Sequence, residues 1–178
     1  MKLLILYGTT EGQTRKIAHF VEDVAQERKC IVTLCDSADE FLNPDGFDAV
    51  MIASSIHMGK YHAAVAEYAK KYAAQLNKMP SAFLSVSLTA ASDDKESWEE
   101  LYEITDHFLK HCDWKPTQTL QVAGALKYME YDFLKKMIMR LIAKKSGASA
   151  DTKHDHEYTQ WDEIQTFVKD FTNLKATA

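Results

Sequence analysis

Apolar residues along this chain gather into five short runs, each nearly all apolar. They are Lys2-Leu3-Leu4-Ile5-Leu6-Tyr7, Cys30-Ile31-Val32-Thr33-Leu34, Phe47-Asp48-Ala49-Val50-Met51-Ile52-Ala53, Pro80-Ser81-Ala82-Phe83-Leu84-Ser85-Val86-Ser87-Leu88 and Thr119-Leu120-Gln121-Val122-Ala123-Gly124-Ala125-Leu126. A strand apolar at successive positions is buried on both faces, as in a parallel sheet. Between the runs the period changes. Ile17, Phe20, Val21 and Val24 share one helical face, as do Val65, Tyr68, Ala69, Tyr72 and Leu76. Trp98, Leu101, Ile104, Phe108 and Leu109 form a third stripe, and Trp161, Ile164, Phe167 and Val168 a fourth, with Thr159 placed to cap it. Strands alternating with helices predict an α/β domain, a parallel sheet with helices on both sides.

One segment, about 127–157, is left over between the fifth strand and the last helix. In it Phe133, Leu134, Met137, Ile138, Leu141 and Ile142 recur at helical spacing, Lys135, Lys136, Arg140, Lys144 and Lys145 occupy other faces, and Gly147 is a natural stop. Such a helix suits peripheral contact with a membrane interface through Phe133–Lys145, its lysines at anionic head groups. It suits equally well a face packed on its own domain or on a partner subunit, so a homo-oligomer stays open. It is too short and too charged to cross a bilayer.

Composition narrows the class. With 178 residues, 46% hydrophobic and 26% charged, the chain reads as one globular domain with a sizeable core. A net charge of −5 argues against nucleic acid as a partner. The first apolar run is too short for a signal peptide. Cys30, Cys35 and Cys112 are odd in number and lack metal spacing, so they read as reduced thiols of a cytoplasmic protein. Lys153-His154-Asp155-His156-Glu157 is a weak metal candidate beside an ordinary polar loop, and no metal is expected.

The candidate chemistry lies after the first strand, in Gly8-Thr9-Thr10-Glu11-Gly12-Gln13-Thr14. A strand, a loop rich in hydroxyls and glycine, and then a helix N-terminus make an anion site, because free N–H groups and the helix dipole point out of the first turn. The loop lacks the Gly-Lys-Ser/Thr of a Walker A motif and the third glycine of a dinucleotide fingerprint. A monophosphate cradle made of neutral donors remains, alongside the plainer reading that Thr10 caps the helix and Gly12 permits a turn. At the exit of the third strand, Ser54 to His62 supplies Met58 and Tyr61 as candidate walls and His57 and His62 as candidate proton carriers, although a loop histidine is commonly just solvated. The exit of the fourth strand, Ser87 to Ala91, offers further donors.

Thr9-Thr10-Glu11-Gly12-Gln13-Thr14 resembles the phosphate loop of the flavodoxin-like family. That resemblance implies a doubly wound five-stranded parallel sheet of order 2-1-3-4-5, here with a helical insertion, in a single domain spanning 1–178. In that order the ligand crevice lies between the first and third strands. Adding Ala53 to His62, Met79 to Phe83 with Ser85 to Leu88, Ala123 to Tyr128, the insertion ending in Lys145-Ser146-Gly147, and Tyr158 to Trp161, the chain resembles the menaquinone-dependent protoporphyrinogen dehydrogenases. The resemblance implies bound FMN, oxidation of protoporphyrinogen IX, electrons passed to menaquinone, and a place on the inner face of the cell membrane. It implies cofactor contacts from Thr9, Thr10, Glu11, Gly12, Gln13 and Thr14, from Ser55, Ile56, His57, Met58, Gly59 and Tyr61, and from Ser87, Leu88, Thr89, Ala90 and Gly124. Tyr128 and Tyr131 are candidates to line a porphyrinogen or quinone site. No catalytic acid or base stands out.

The chain also departs from its relatives. Electron-carrier flavodoxins sandwich the ring between aromatics, whereas the second loop here offers only Tyr61 and Ser87–Ala91 none. Basic residues that the family carries around positions 56–58 and after Thr89 are replaced by His57 and Met58, then Asp93 and Asp94. A soluble FMN electron-transfer protein and a flavin-free binding module are the alternatives.

Overall fold

The computed structural model describes residues 1–39, 41–126 and 156–174. Its strands are β1 (Lys2–Gly8), β2 (Ile31–Asp36), β3 (Ala49–His57), the two-residue β4 (Lys60–Tyr61), β5 (Ser81–Ser87), β6 (Gln118–Ala123), β7 (Ala125–Leu126) and β8 (His156–Glu157). The helices are α1 (Gln13–Glu27), α2 (Ala63–Lys71), α3 (Ala73–Leu76), α4 (Lys95–His111) and α5 (Trp161–Thr172). The main sheet runs β2-β1-β3-β5-β6, all parallel, with β4 added antiparallel to the end of β3. With β4 set apart, this is the expected 2-1-3-4-5 order.

Burial on both faces explains the nearly continuous apolar runs. Leu3, Ile5, Met51, Leu84 and Val122 pack under Ile17 and Val21 of α1 and Ile164 and Val168 of α5. The alternate residues Leu4, Leu6, Val50, Ile52 and Phe83 face Val65 and Tyr68 of α2 and Phe108 of α4, with Trp114.

Four details differ from the sequence expectation. The helix expected across Val65–Leu76 breaks at Tyr72, whose backbone leaves the helical region (φ −111°, ψ 16°). The third strand starts at Ala49 rather than Phe47, because Asn43-Pro44-Asp45-Gly46 forms a 3-10 turn closed by Asp45 N donating to Asn43 Oδ1 at 3.0 Å. The fifth strand stops at Ala123, and β7 pairs antiparallel with β8 instead. Thr159 does not cap the last helix. Its hydroxyl donates to the Ala123 carbonyl at 2.7 Å and accepts from Gln13 Nε2 at 2.9 Å, tying α1 to the end of β6. Asp94, by contrast, caps α4 by accepting from Ser97 N at 3.0 Å.

Burial pushes the phenols of Tyr61 and Tyr68 and the thiols of Cys35 and Cys112 upward. Tyr7 rises for the same reason, with the Asp36 charge adding to it. These groups stay protonated in the fold, while an unfolded chain loses thiol and phenol protons near about pH 8.5 and about pH 10. Their contribution is therefore whole below the unfolded values and drains away as pH rises toward the folded ones. Thermal melts should show a Tm that is flat through neutrality, begins to fall above about pH 8.5 as the thiols titrate in the unfolded chain, and falls more steeply above about pH 10. Tyr68→Phe should lessen that fall; an identical slope in the variant would contradict the burial argument.

Candidate functional site

Gly12 sits at the N-cap of α1 with φ 91°, a left-handed conformation that a side chain resists. Its N–H donates to Thr9 Oγ1 at 2.9 Å, and its carbonyl accepts the first helical bond, from Lys16 N at 3.1 Å. The loop thus closes on itself and aims the first N–H groups of α1 outward. No side chain among the described residues caps this end, and the first turn carries no acidic residue to offset the dipole. Thr10 is exposed, Glu11 half-exposed just outside the helix.

Two hydroxyls here lack partners. Thr14 is 1% exposed, and its Oγ1 has no hydrogen-bond partner among the described residues. Ser55 Oγ, near the end of β3, is buried and equally unpartnered. Ser55 alternates with Ala53 and Met51, so it points to the α1 side of the sheet. A buried polar group without a partner costs about 1–3 kcal/mol. Both donors suit a phosphate monoester, which only accepts. Gln13 is different, because its side-chain amide is already engaged by Thr159, leaving its backbone N–H for a ligand.

The stretch expected as a loop from Ser54 to His62 is largely strand. β3 runs on through His57 and turns back at once, pairing Ile56 with Tyr61 and His57 with Lys60. Met58 (φ 50°) and Gly59 (φ 74°) are both left-handed, as a two-residue hairpin turn of the primed type requires. The result corrects the expectation of two flanking walls. Met58 projects at the tip, 88% exposed, while Tyr61 points into the core at 9%. The Tyr61 ring packs on Phe83 and Phe108, with centroids 5.1 and 4.5 Å away. His57 is exposed beside the tip. His62 is half-buried, and its N–H donates to Ser54 Oγ at 3.2 Å where α2 begins.

The third rim is the exit of β5. Ser87 Oγ accepts from Ala90 N at 3.2 Å, shaping a 3-10 turn over Thr89–Ala91. Leu88 and Thr89 are half-exposed. Gly124 is buried; its N–H donates to the Ser87 carbonyl at 2.9 Å, and its carbonyl accepts from Tyr158 N at 3.1 Å. Beneath these turns Ala90, Leu101 and Ala123 form an apolar floor with Ile56, Trp98 and Tyr158. Trp98, Tyr158 and Thr159 are members of this rim that the sequence reading did not place. They come from helix positions or from beyond the insertion, where periodicity carries no such signal.

The chain matches the flavodoxin domain family over residues 4–153. It is 36% identical over 178 residues to the protoporphyrinogen IX dehydrogenase (quinone) of Escherichia coli (strain K12), with 98% of this chain and 96% of that protein covered. The chain belongs to the flavodoxin family, in its protoporphyrinogen IX dehydrogenase (quinone) branch. The branch also includes a Leishmania major protein of the same name, 34% identical over 177 residues, covering 97% of this chain and 75% of that one. Solved flavodoxins share the fold at lower identity. Oxidised flavodoxin 1 of Bacillus cereus superposes with a TM-score of 0.58 at 12% identity, covering 98% of this chain and 100% of that one. The Streptococcus TIGR4 flavodoxin gives 0.59 at 12%, covering 96% and 97%.

Several family expectations fall beyond the described residues. The amphipathic stretch Phe133–Lys145, Tyr128, Tyr131 and His154 all lie there. Among the described residues no helix is long and apolar enough to cross a membrane. Nor does any group of three or more His, Cys, Asp or Glu among them suit a metal.

Gly8 joins β1 to the cradle and touches α2. A Cβ there would lie 2.6 Å from Val65 Cγ2 and 2.8 Å from His62 Cβ. Gly8→Ala should push α2 off the strand end and cost about 1–3 kcal/mol in urea unfolding. A loss below about 0.5 kcal/mol, the range of an ordinary surface change, would contradict the close packing.

Proposed function

We propose that the chain is an FMN-dependent oxidoreductase that converts protoporphyrinogen IX to protoporphyrin IX and passes the electrons to a membrane quinone. The observation that carries this reading is the near full-length likeness to the Escherichia coli relative. The two unpartnered hydroxyls support its cofactor.

Thr14 Oγ1, Ser55 Oγ and the first N–H groups of α1 would hold the phosphate, with Thr9 and Thr10 beside them. Glu11 stays outside the first turn, so its charge need not oppose the phosphate. The turn at Met58–Gly59 and the turn after Ser87 would border the ring. The apolar floor of Ala90, Ala123 and Ile56 would keep water from beneath it. When bound, the flavin supplies the redox chemistry, taking up and releasing electron pairs that no side chain of the protein can carry. The protein's part is to hold, orient and leave an edge accessible. An electron carrier asks for aromatics on both ring faces. Here Tyr61 is committed to the core and Ser87–Ala91 has none, which favours a site left more open to substrate.

The finer parts of the reading rest on sequence. Phe133–Lys145 would bring a single 1–178 domain to the inner face of the membrane, where both apolar reactants dissolve. The anaerobic assay decides the activity. Purified protein with FMN should turn protoporphyrinogen IX into the fluorescent porphyrin only when a menaquinone analogue is present. Porphyrin formation no faster than without protein would overturn the proposal.

The cradle has its own test with an unusual sign. Thr14→Val replaces an unpaired hydroxyl by a methyl of the same shape, so the flavin-free protein should be as stable as wild type or more so. FMN affinity should fall about tenfold, the worth of one net hydrogen bond. Unchanged affinity would contradict the assignment of Thr14.

A further inference from the structure

The hairpin at the mouth of the site is too small to hold its own shape. β4 has only two residues and two cross-strand pairs, and an isolated hairpin of that size is not stable in water. Its turn places Met58, which is not a glycine, at φ 50°, a conformation that persists only where the surroundings impose it. His57, Met58, Gly59 and Lys60 are all exposed, so none of them supplies that restraint through burial. Tyr61 is the buried residue at the foot of the hairpin.

Counting protons orients the contacts of Tyr61. Thr105 Oγ1 donates its single proton to the Leu101 carbonyl at 2.9 Å and accepts from Gln121 Nε2 at 2.9 Å. The contact between Thr105 Oγ1 and the Tyr61 hydroxyl at 2.8 Å must therefore be donated by Tyr61. The Tyr61 proton being used, its contact with Ser85 Oγ at 2.8 Å must be donated by Ser85. One directed chain results, from Ser85 through Tyr61 and Thr105 to the Leu101 carbonyl. It ties the hairpin to the interior strand β5 and to α4, and Gln121 ties in β6.

We propose that Tyr61 is a positioning residue: its hydroxyl, bolted between Ser85 and Thr105, fixes the Met58–Gly59 turn at the rim of the site and so sets how the rim meets the flavin. The mechanical half of this claim stands on the geometry alone. The flavin half rests on the proposed function.

The test compares Tyr61→Phe with Trp114→Phe in the full chain. The first keeps the ring and removes only the bolt. The second deletes another buried bond, Trp114 Nε1 donating to Ser81 Oγ at 3.0 Å, at the opposite end of β5. In flavin-free protein, amides of residues 57–60 should exchange about tenfold faster in Tyr61→Phe and at the wild-type rate in Trp114→Phe, one hydrogen bond being worth about that factor. With FMN, only Tyr61→Phe should raise the Kd several-fold and shift the visible flavin bands. Wild-type exchange at the hairpin in Tyr61→Phe would overturn the bolt, as would equal acceleration in Trp114→Phe. Faster exchange with an unmoved spectrum and Kd would overturn its role toward the flavin. Failure of the wild-type chain to bind FMN would defeat the function reading, while the exchange rates would still decide the bolt.

Discussion

An unpaired hydroxyl inside a protein is a standing cost, and among the described residues Thr14 and Ser55 each keep one without a partner. They sit at the start of α1 and the end of β3, on the same side of the sheet. Folding alone gives no reason to retain either, since valine and alanine would fill the same space. The proposed phosphate site gives a reason: Thr14 lies in the first turn of α1, an N-terminus with no side-chain cap among the described residues and no acidic first-turn residue. In the proposed site one dianionic group would engage these donors together, without a single lysine or arginine in the loop.

The rest of the architecture serves to bring three strand ends to that point. In an open α/β sheet buried on both faces, ligands sit beyond the carboxyl ends of the strands. β1 delivers the cradle, β3 the hairpin and β5 the turn at Ser87–Ala90, while Gly124 and Thr159 lace the end of β6 to β5 and α1. Lys16 adds a further stitch, its ammonium 2.6 Å from Glu157 and over the Trp161 ring. Where the chain returns after the insertion, it is thus fastened directly to the helix that carries the cradle.

The sheet and its order were legible because their signals are local. Nearly all-apolar runs mean strands buried twice, and Gly12 among threonines before a helix means a tight turn at the helix start. The hairpin was not legible. Ser54-Ser55-Ile56-His57 has the polarity of a loop, yet it continues β3 because Tyr61, four residues further on, is drawn into the core by Phe83 and Phe108. That pull comes from residues more than twenty positions away and leaves no periodicity. The same holds for Thr159, whose apparent helix cap is outbid by the Ala123 carbonyl and Gln13. The break of the second helical stripe at Tyr72 is equally silent, since Val65 to Leu76 keep helical spacing across it.

The central claim is that neutral donors grip a phosphate, and comparing FMN with riboflavin tests it most directly, because the two ligands differ only by that group. Titration of the flavin-free protein at one ionic strength should show FMN bound at least about a hundredfold more tightly, two or more net hydrogen bonds' worth. Equal affinity for both ligands would mean that the loop does not hold the phosphate, and the account built on Thr14 and Ser55 would be wrong.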